Sequence, residues 1–299
     1  MKVNIIIAEV IKIGRLSEIL PMDMHFLLNN KEIEEIRFCV NSYPYVKTVN
    51  DFFFTDRIIT ASQFDQILLR ICNNSYHTHS LTINKGYINA GEGIRVGVCG
   101  RAILKNETVY NVDSIESLCI RIPHLIRNVS QDLFSSIIKT DGVPNILFYS
   151  PPGVGKTTLL RDIIIRLMSK PYYKKISLLD SREEVYISQM GKSSLLNVYR
   201  GYPKEYAFEA SIRTMAPDVI VTDEIASEYE SDQIHKYLNS GVTVIATTHA
   251  SGFDDLIHRP FIQKLYENKC FDVYCGIKRK ASSKKFDFEI TIERKEYQC

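Results

Sequence analysis

The run NILFYSPPGVGKTTLLRDIIIRLM, from Asn145 to Met168, constrains the fold more than any other part of the chain. An apolar strand enters a glycine-rich turn, and a helix follows at once. Gly153 and Gly155 let backbone N–H groups close around an anion. The helix start adds unpaired N–H donors and the positive end of its dipole. The loop Pro152, Gly153, Val154, Gly155, Lys156, Thr157, Thr158 therefore reads as a nucleotide cradle. Lys156 would reach the β- and γ-phosphates, Thr157 would ligate Mg²⁺, and Thr158 would contact the α-phosphate or cap the helix. Ser150 stands where the usual pattern has its first glycine. If that position required positive φ, a serine would cost roughly 1–2 kcal/mol. Its small side chain and the stiffening by Pro151 and Pro152 make it a variant of a working loop.

A second motif agrees with the first. PDVIVTDE places Asp223 and Glu224 at the end of an apolar run. Asp223 would hold Mg²⁺ through water, and Glu224 would polarise an attacking water. Thr222 interrupts the run, but it is β-branched and close to valine in shape. VTVIATTHA brings Thr247, Thr248 and His249 to another strand end, where a polar side chain can sense a γ-phosphate. SLLDSREEV brings Asp180, Arg182, Glu183 and Glu184 to a fourth, and its carboxylates could position a metal-bound water. The runs NILFYS, KISLLD, DVIVTD and VTVIATT are continuous rather than alternating, as in central parallel strands covered on both faces. They predict a doubly wound, mainly parallel α/β domain with its ligand at the carboxyl ends of the strands.

The preceding part reads as a smaller α/β module. EEIRFCVN and YPYVKTV predict two strands. TASQFDQILLRICNN predicts a helix capped by Thr60 or Ser62, with Phe64, Ile67, Leu68 and Ile71 on one face. GYINAGEGIRVGVCGRAIL predicts a β-meander, and SLCIRIP a further strand. VSQDLFSSIIKT predicts a helix capped by Ser130 and closed near Asp141–Gly142, which sets a domain boundary between residues 127 and 128. FDVYCGIK and FDFEITIE predict a closing hairpin.

The chain has 299 residues, 45% hydrophobic and 24% charged, with a net charge of +2. This is the balance of a soluble globular chain, and it gives no electrostatic case for a dedicated nucleic-acid binder. KRKASSKK, residues 278–285, is the densest basic run and reads as a solvated turn. No apolar stretch approaches the ~20 residues of a spanning helix. The opening VNIIIAEVIKI is short, carries Glu9 and Lys12, and lacks the marks of a signal peptide. The expectation is a cytoplasmic protein whose membrane role comes through partners. Cys270 and Cys275 read as buried free thiols. His77 and His79, at i and i+2, would share a strand face but are too few for a metal site.

Phosphate loop, acidic box, Asp-Glu box and histidine box, in that order, resemble the ATPases of secretion and pilus systems. GYPKEYAFEASIRTMAPDVIVTDEI, GEGIRVGVCGRA, EEIRFCVNSYP, SLCIRIPH and HASGFDDLIHRPFIQKL resemble the stage III sporulation protein AA family, from about Glu34 to the final hairpin. The resemblance implies a RecA-like ATPase core, residues 128–299, behind an N-terminal domain, residues 1–127. It implies ATP and Mg²⁺ as cofactors and a homo-oligomer in the form of a hexameric ring. It also implies a place at the cytoplasmic base of a membrane-embedded channel between mother cell and forespore, with that channel's membrane proteins as partners. The acidic box departs from the family's Asp-Glu-Arg-Ser-Glu: Ser181 replaces the first Glu, and Glu183 replaces the Ser. Arg200 stands where an acidic or small residue is usual. Ring ATPases supply an arginine across the subunit interface, an effect of ~10³–10⁵ in rate. By analogy with secretion ATPases, Arg95 and Arg101 are preferred for that role and Arg121 is a further candidate, while Arg213 would support the core. A nucleic-acid-dependent motor is the alternative, since RecA-like cores also serve helicases, but the chain shows no stacking module or basic stripe. A nucleotide-gated scaffold is a third reading, and Glu224 argues against it.

Overall fold

The computed structural model describes residues 14–29, 33–138, 142–238, 241–279 and 288–294. The apolar opening 3–13 and most of the basic run 278–285 lie outside the described residues. The chain divides into two compact units. One takes it to His124 together with Ile187–Gly191; the other takes Leu125–Tyr186 and the chain from Lys192.

The N-terminal unit is built on a mixed-length antiparallel sheet. Its strands are β1 (Ile33–Cys39), β2 (Tyr45–Thr48), β3 (Phe52–Phe54), β4 (Tyr87–Asn89), β5 (Arg95–Lys105) and β6 (Thr108–Arg121), in the order β3-β2-β1-β6-β5-β4. β6 reaches much further back than SLCIRIP suggested, because it pairs with β5 through three register shifts along a long hairpin. Helix α1 (Ala61–Ile71) buries Phe64, Ile67, Leu68 and Ile71 into one core with Ile36, Phe38, Val96 and Ile120. Thr60, not Ser62, is its cap. The Thr60 hydroxyl accepts from the Gln63 N–H at 3.3 Å, and the Gln63 side chain accepts from the Thr60 N–H at 3.0 Å. This reciprocal pair satisfies two donors that the first turn would leave open. His77 and His79 do not share a strand face; they lie in a 3₁₀ turn.

The second unit carries a sheet of six parallel strands and one antiparallel edge strand. They are β7 (Ile146–Ser150), β8 (Ile176–Asp180), β9 (Leu196–Arg200), β10 (Val219–Glu224), β11 (Thr243–His249), β12 (Val273–Arg279) and β13 (Phe288–Arg294), ordered β13-β12-β7-β11-β10-β8-β9. The four continuous apolar runs are its central strands, and β7 and β8 are buried at every residue. The expected closing hairpin is present in its described part, Val273–Arg279 pairing antiparallel with Phe288–Arg294, and β12 also joins the main sheet beside β7. Helix α2 (Gln131–Ser136) is shorter than expected, and the Ser130 side chain does not cap it. The Ser130 hydroxyl and N–H both donate to the buried Asp162 carboxylate, at 2.6 and 2.9 Å, with the Asn128 N–H donating to its other oxygen at 3.0 Å. Asp162 lies on helix α3 (Lys156–Met168), so a carboxylate of α3 organises the entry to α2.

Gly100 lies where β5 shifts register against β6. A Cβ there would sit 2.1 Å from the Ser114 carbonyl oxygen and 2.8 Å from the Ile115 Cα. These are backbone atoms, so the hairpin itself must shift. Gly100→Ala is expected to cost about 3 kcal/mol, the upper end for overpacking. Thermal unfolding should show the midpoint lowered by several degrees; an unchanged midpoint would mean that the hairpin yields freely.

Candidate functional site

The register of β7, β11 and β10 decides which side chains meet. His249 pairs with Ser150, and Glu224 pairs with Thr247. The polar ends of three buried strands thus reach one edge of the sheet, where α3 begins. Gly153 and Gly155 have φ of 74° and 126°, a region that only glycine enters without strain. Gly155 caps α3, and Lys156 is its first residue. Ser150 is the last residue of an extended strand and is absent from the positive-φ residues. The penalty considered for it does not arise.

A cleft of about 370 Å³ brings the phosphate loop together with the other boxes. Pro152, Gly153, Gly155, Lys156, Thr157 and Thr158 form one wall. Asp223, Glu224, Thr247 and His249 face them, with Arg182 and Glu184 closing the side. Val154 is half-buried and does not line the cleft. The Lys156 ammonium is buried and donates to the Ser150 carbonyl at 3.1 Å, the Ser150 hydroxyl at 3.2 Å and His249 Nδ1 at 2.8 Å. Burial lowers the Lys156 pKa to about 8 against the opposing pull of Glu224. Because Nδ1 accepts from Lys156, its 3.3 Å approach to the Ser150 carbonyl is no hydrogen bond, and the ring proton belongs on Nε2. His249 Nε2 lies 3.6 Å from Glu224.

Glu224 and Asp223 each have a cation of the chain's own. Arg182 Nη1 lies 2.6 Å from the Glu224 carboxylate. Lys204, the first residue of helix α4 (Lys204–Ala210), lies 2.8 Å from the Asp223 carboxylate and 2.9 Å from Glu230. It also donates to the Glu224 carbonyl oxygen. Asp223 further accepts from the Ser181 hydroxyl and the Arg182 N–H, both at 3.3 Å. The Thr157 hydroxyl and the Asp223 carboxylate are hard oxygen donors on one cleft, the donor type that Mg²⁺ takes when phosphates complete its shell. Among the described residues no group of three His, Cys, Asp or Glu side chains forms a complete metal cage.

Several expectations are corrected. Asp180 does not face the cleft. Its fully buried carboxylate accepts from the backbone N–H groups of Glu184, Val185 and Tyr186, at 2.8–3.1 Å. Burial pushes its pKa up to about 6 in spite of those bonds. Asp180 therefore organises the loop after β8 rather than positioning a metal-bound water. Glu183 has φ of 55° and sets its carboxylate beside Gly201; of the acidic box, Glu184 is the carboxylate on the cleft. Thr248 is also turned away, donating to the Ile225 carbonyl at 2.9 Å. Arg213 does not support the core: it is exposed and pairs with Glu209 at 2.7 Å. Arg95, Arg101 and Arg121 all belong to the N-terminal unit. Arg95 lies 4.4 Å over the Tyr87 ring, Arg101 is exposed on β5, and Arg121 is exposed at the end of β6.

Two residues escaped the sequence reading. Lys204 sits twenty residues from Glu224, inside GYPKEYAF, with nothing local to mark it as buried. Arg161 lies within the apolar run of α3, and its guanidinium donates to the carbonyls of Val185 and Glu184 at 2.8 and 2.7 Å. An arginine inside a buried helical run was the available signal, since such a charge requires partners.

A family model described as sporulation stage III, protein AA, matches residues 12–286. Stage III sporulation protein AA of Bacillus subtilis (strain 168) is 31% identical over 281 residues, covering 89% of this chain and 91% of that protein. Among solved structures, the pilus retraction motor PilT with bound ADP is similar with a TM-score of 0.62 at 14% identity, over 89% of this chain and 80% of that one. The ATPase DotB of Legionella pneumophila gives a TM-score of 0.57 at 15% identity, over 83% and 72% of the two chains. At these identities the likeness is one of fold, a RecA-like α/β core joined to a smaller α/β domain.

Asp180→Ala removes the acceptor for three backbone N–H groups. A buried donor left unpaired costs about 1–3 kcal/mol, so local opening of the loop should rise ~10-fold or more. The check is trypsin cleavage after the exposed Arg182, followed by mass spectrometry. A rate equal to wild type would show that Asp180 does not hold the loop.

Proposed function

The chain belongs to the sporulation stage III, protein AA family, and from that premise we propose that it is a Mg²⁺-dependent ATPase. Its turnover would power assembly of, or transport through, a channel complex between mother cell and forespore. The observation that carries this reading is the meeting of Lys156, Thr157, Asp223, Glu224 and His249 on one cleft. A nucleotide-binding scaffold needs the loop; the carboxylate Glu224 at the facing strand end is what hydrolysis adds.

In this reading the loop N–H groups and Lys156 hold the phosphates of ATP. Thr157 and Asp223 would hold Mg²⁺, which when bound neutralises charge on the β- and γ-phosphates. Glu224 orients a water and takes its proton, while His249 and Thr247 lie where the outer phosphate would be sensed. Lys156 gives up the Ser150 and His249 contacts to phosphate oxygens. The protein would act as a homo-oligomer, a hexameric ring at the cytoplasmic face of a membrane complex in the mother cell. The N-terminal domain, residues 1–127, would supply Arg95 or Arg101 to the neighbouring subunit's site. Among the described residues no helix is long and apolar enough to cross a membrane. Contact with the complex would run through its membrane proteins.

Glu224→Gln should keep ATP affinity and lower turnover at least ~100-fold, whereas Lys156→Ala should lose both. Equal turnover in all three proteins would remove the enzymatic reading. Arg95→Ala or Arg101→Ala should lower turnover by ~10³ if that side chain acts across the interface. Mixing such a variant with Lys156→Ala should then restore part of the activity, because some interfaces regain both an arginine and a loop; no gain on mixing argues against a role in trans.

The pH dependence follows from Lys156. Its pKa in the free protein is lowered to about 8, and bound phosphate favours the charged form and raises it. Binding is therefore proton-neutral below about pH 8 and takes up a proton above it. ATP affinity should stay level to that point and then weaken by up to ~10-fold per pH unit, read by titrating a fluorescent ATP analogue. A level profile to pH 9.5 would mean that Lys156 does not contact the phosphates.

A further inference from the structure

Lys204 is a buried ammonium whose three N–H bonds are spoken for. It meets Asp223 Oδ1 at 2.8 Å, Glu230 Oε1 at 2.9 Å and the Glu224 main-chain oxygen. Two of these acceptors belong to the strand end of β10 that carries the proposed chemistry. The third belongs to helix α5 (Glu228–Leu238), the next element in the chain. Burial alone would push the Glu230 carboxyl up, yet Lys204 and the Ala226 N–H hold it below its usual range. Asp223 is as deeply buried as Lys204 itself, each side chain 8% exposed. Two carboxylates cannot share that space without a cation between them.

We propose that Lys204 is a positioning residue of the site: it fixes the Asp223 carboxylate and the Glu224 backbone in one geometry and ties both to α5. The proposal rests on the ATPase reading, and it goes beyond it by assigning a role to a residue outside the four boxes. The loop 224–228 turns sharply from β10 into α5, and a single ammonium grips it at Glu224 and on the far side at Glu230. Without that grip the direction of the Glu224 side chain is left to Arg182, which is half exposed, and to the more distant His249 Nε2 at 3.6 Å. Lys204 also occupies one oxygen of Asp223, so it lowers the attraction of that carboxylate for a divalent cation. An aim for Glu224 and a restraint on Asp223 are separable consequences of one contact.

The test is Lys204→Met, with Lys204→Arg as the conservative variant. The paired variant Lys204→Met/Glu230→Gln keeps the net charge of the cluster unchanged and guards against simple misfolding. Lys204→Met should lower kcat ~10-fold or more while the affinity for a fluorescent ATP analogue without Mg²⁺ stays within ~2-fold. The Mg²⁺ concentration that half-saturates tightening of the same analogue should fall, because Asp223 is released from its internal cation. The paired variant should unfold nearer the wild-type temperature than Lys204→Met does and still show the low kcat, and Lys204→Arg should recover part of it. Unchanged kcat and Mg²⁺ dependence would overturn the proposal. So would a paired variant in which kcat recovers fully, or parallel losses of kcat, nucleotide affinity and thermal midpoint in every variant, since those outcomes describe a merely structural ion pair. A wild type that binds nucleotide without turnover would overturn the ATPase reading instead, and the Mg²⁺ readout on binding would still decide for or against Lys204.

Discussion

A carboxylate cannot be left alone at the end of a buried strand, and that constraint shapes the whole carboxyl edge of the parallel sheet. Asp180 and Asp223 end adjacent strands and are withdrawn from water. The sequence answers each differently. Asp180 is neutralised by geometry, through three backbone N–H groups of the loop that follows it. Asp223 is neutralised by charge, through Lys204. Arg161 completes the first arrangement by donating to the carbonyls of the same short loop whose N–H groups Asp180 collects. The segment 184–186 is thus held from both polarities of its backbone. That leaves Arg182, just before it, free to face the cleft on a fixed base.

The phosphate loop draws its rigidity from the same edge. β7 lies between β12 and β11, buried throughout, and its last residue pairs with the last residue of β11. Ser150 is therefore held by the sheet before the loop begins. The departure from glycine has no conformational cost, because the positive φ values fall later in the motif, at Gly153 and Gly155. The serine hydroxyl is put to use as an acceptor for Lys156, with its own proton directed to the Pro151 carbonyl at 2.8 Å.

Much of this was legible in the residues. Continuous apolar runs located the four central strands because burial on both faces leaves no alternation to confuse them. The strand-loop-helix order located the phosphate loop, and the strand-end positions of Asp223, Glu224 and His249 located the facing wall. What was not legible depends on tertiary partners. β9 is only half-buried, so LNVYR carries no apolar signature, and its pairing with β8 is a property of the finished sheet. The role of Asp180 could not be separated from that of Glu184, because both follow the same strand and only the turn decides which one looks inward. Lys204 was invisible for a simpler reason: a lysine defaults to solvent, and nothing within a helical turn of it shows that two carboxylates will arrive from β10 and α5.

The distribution of partners also separates binding from chemistry. Glu224 and Asp223 each hold a cation of the chain's own, whereas Lys156 is bonded to a carbonyl, a hydroxyl and an imidazole nitrogen. An incoming phosphate thus meets a cation whose present partners carry no formal charge, and exchanging them loses little. Glu224 is in the opposite position. In the proposed role it would not accept a proton from water with full effect while Arg182 lies 2.6 Å from it. A phosphate anion entering beside Arg182 competes for that guanidinium, because a second anion on the same cleft is the one group able to draw it away. In the proposed ATPase reading, occupation of the loop and release of the carboxylate would then be a single electrostatic event.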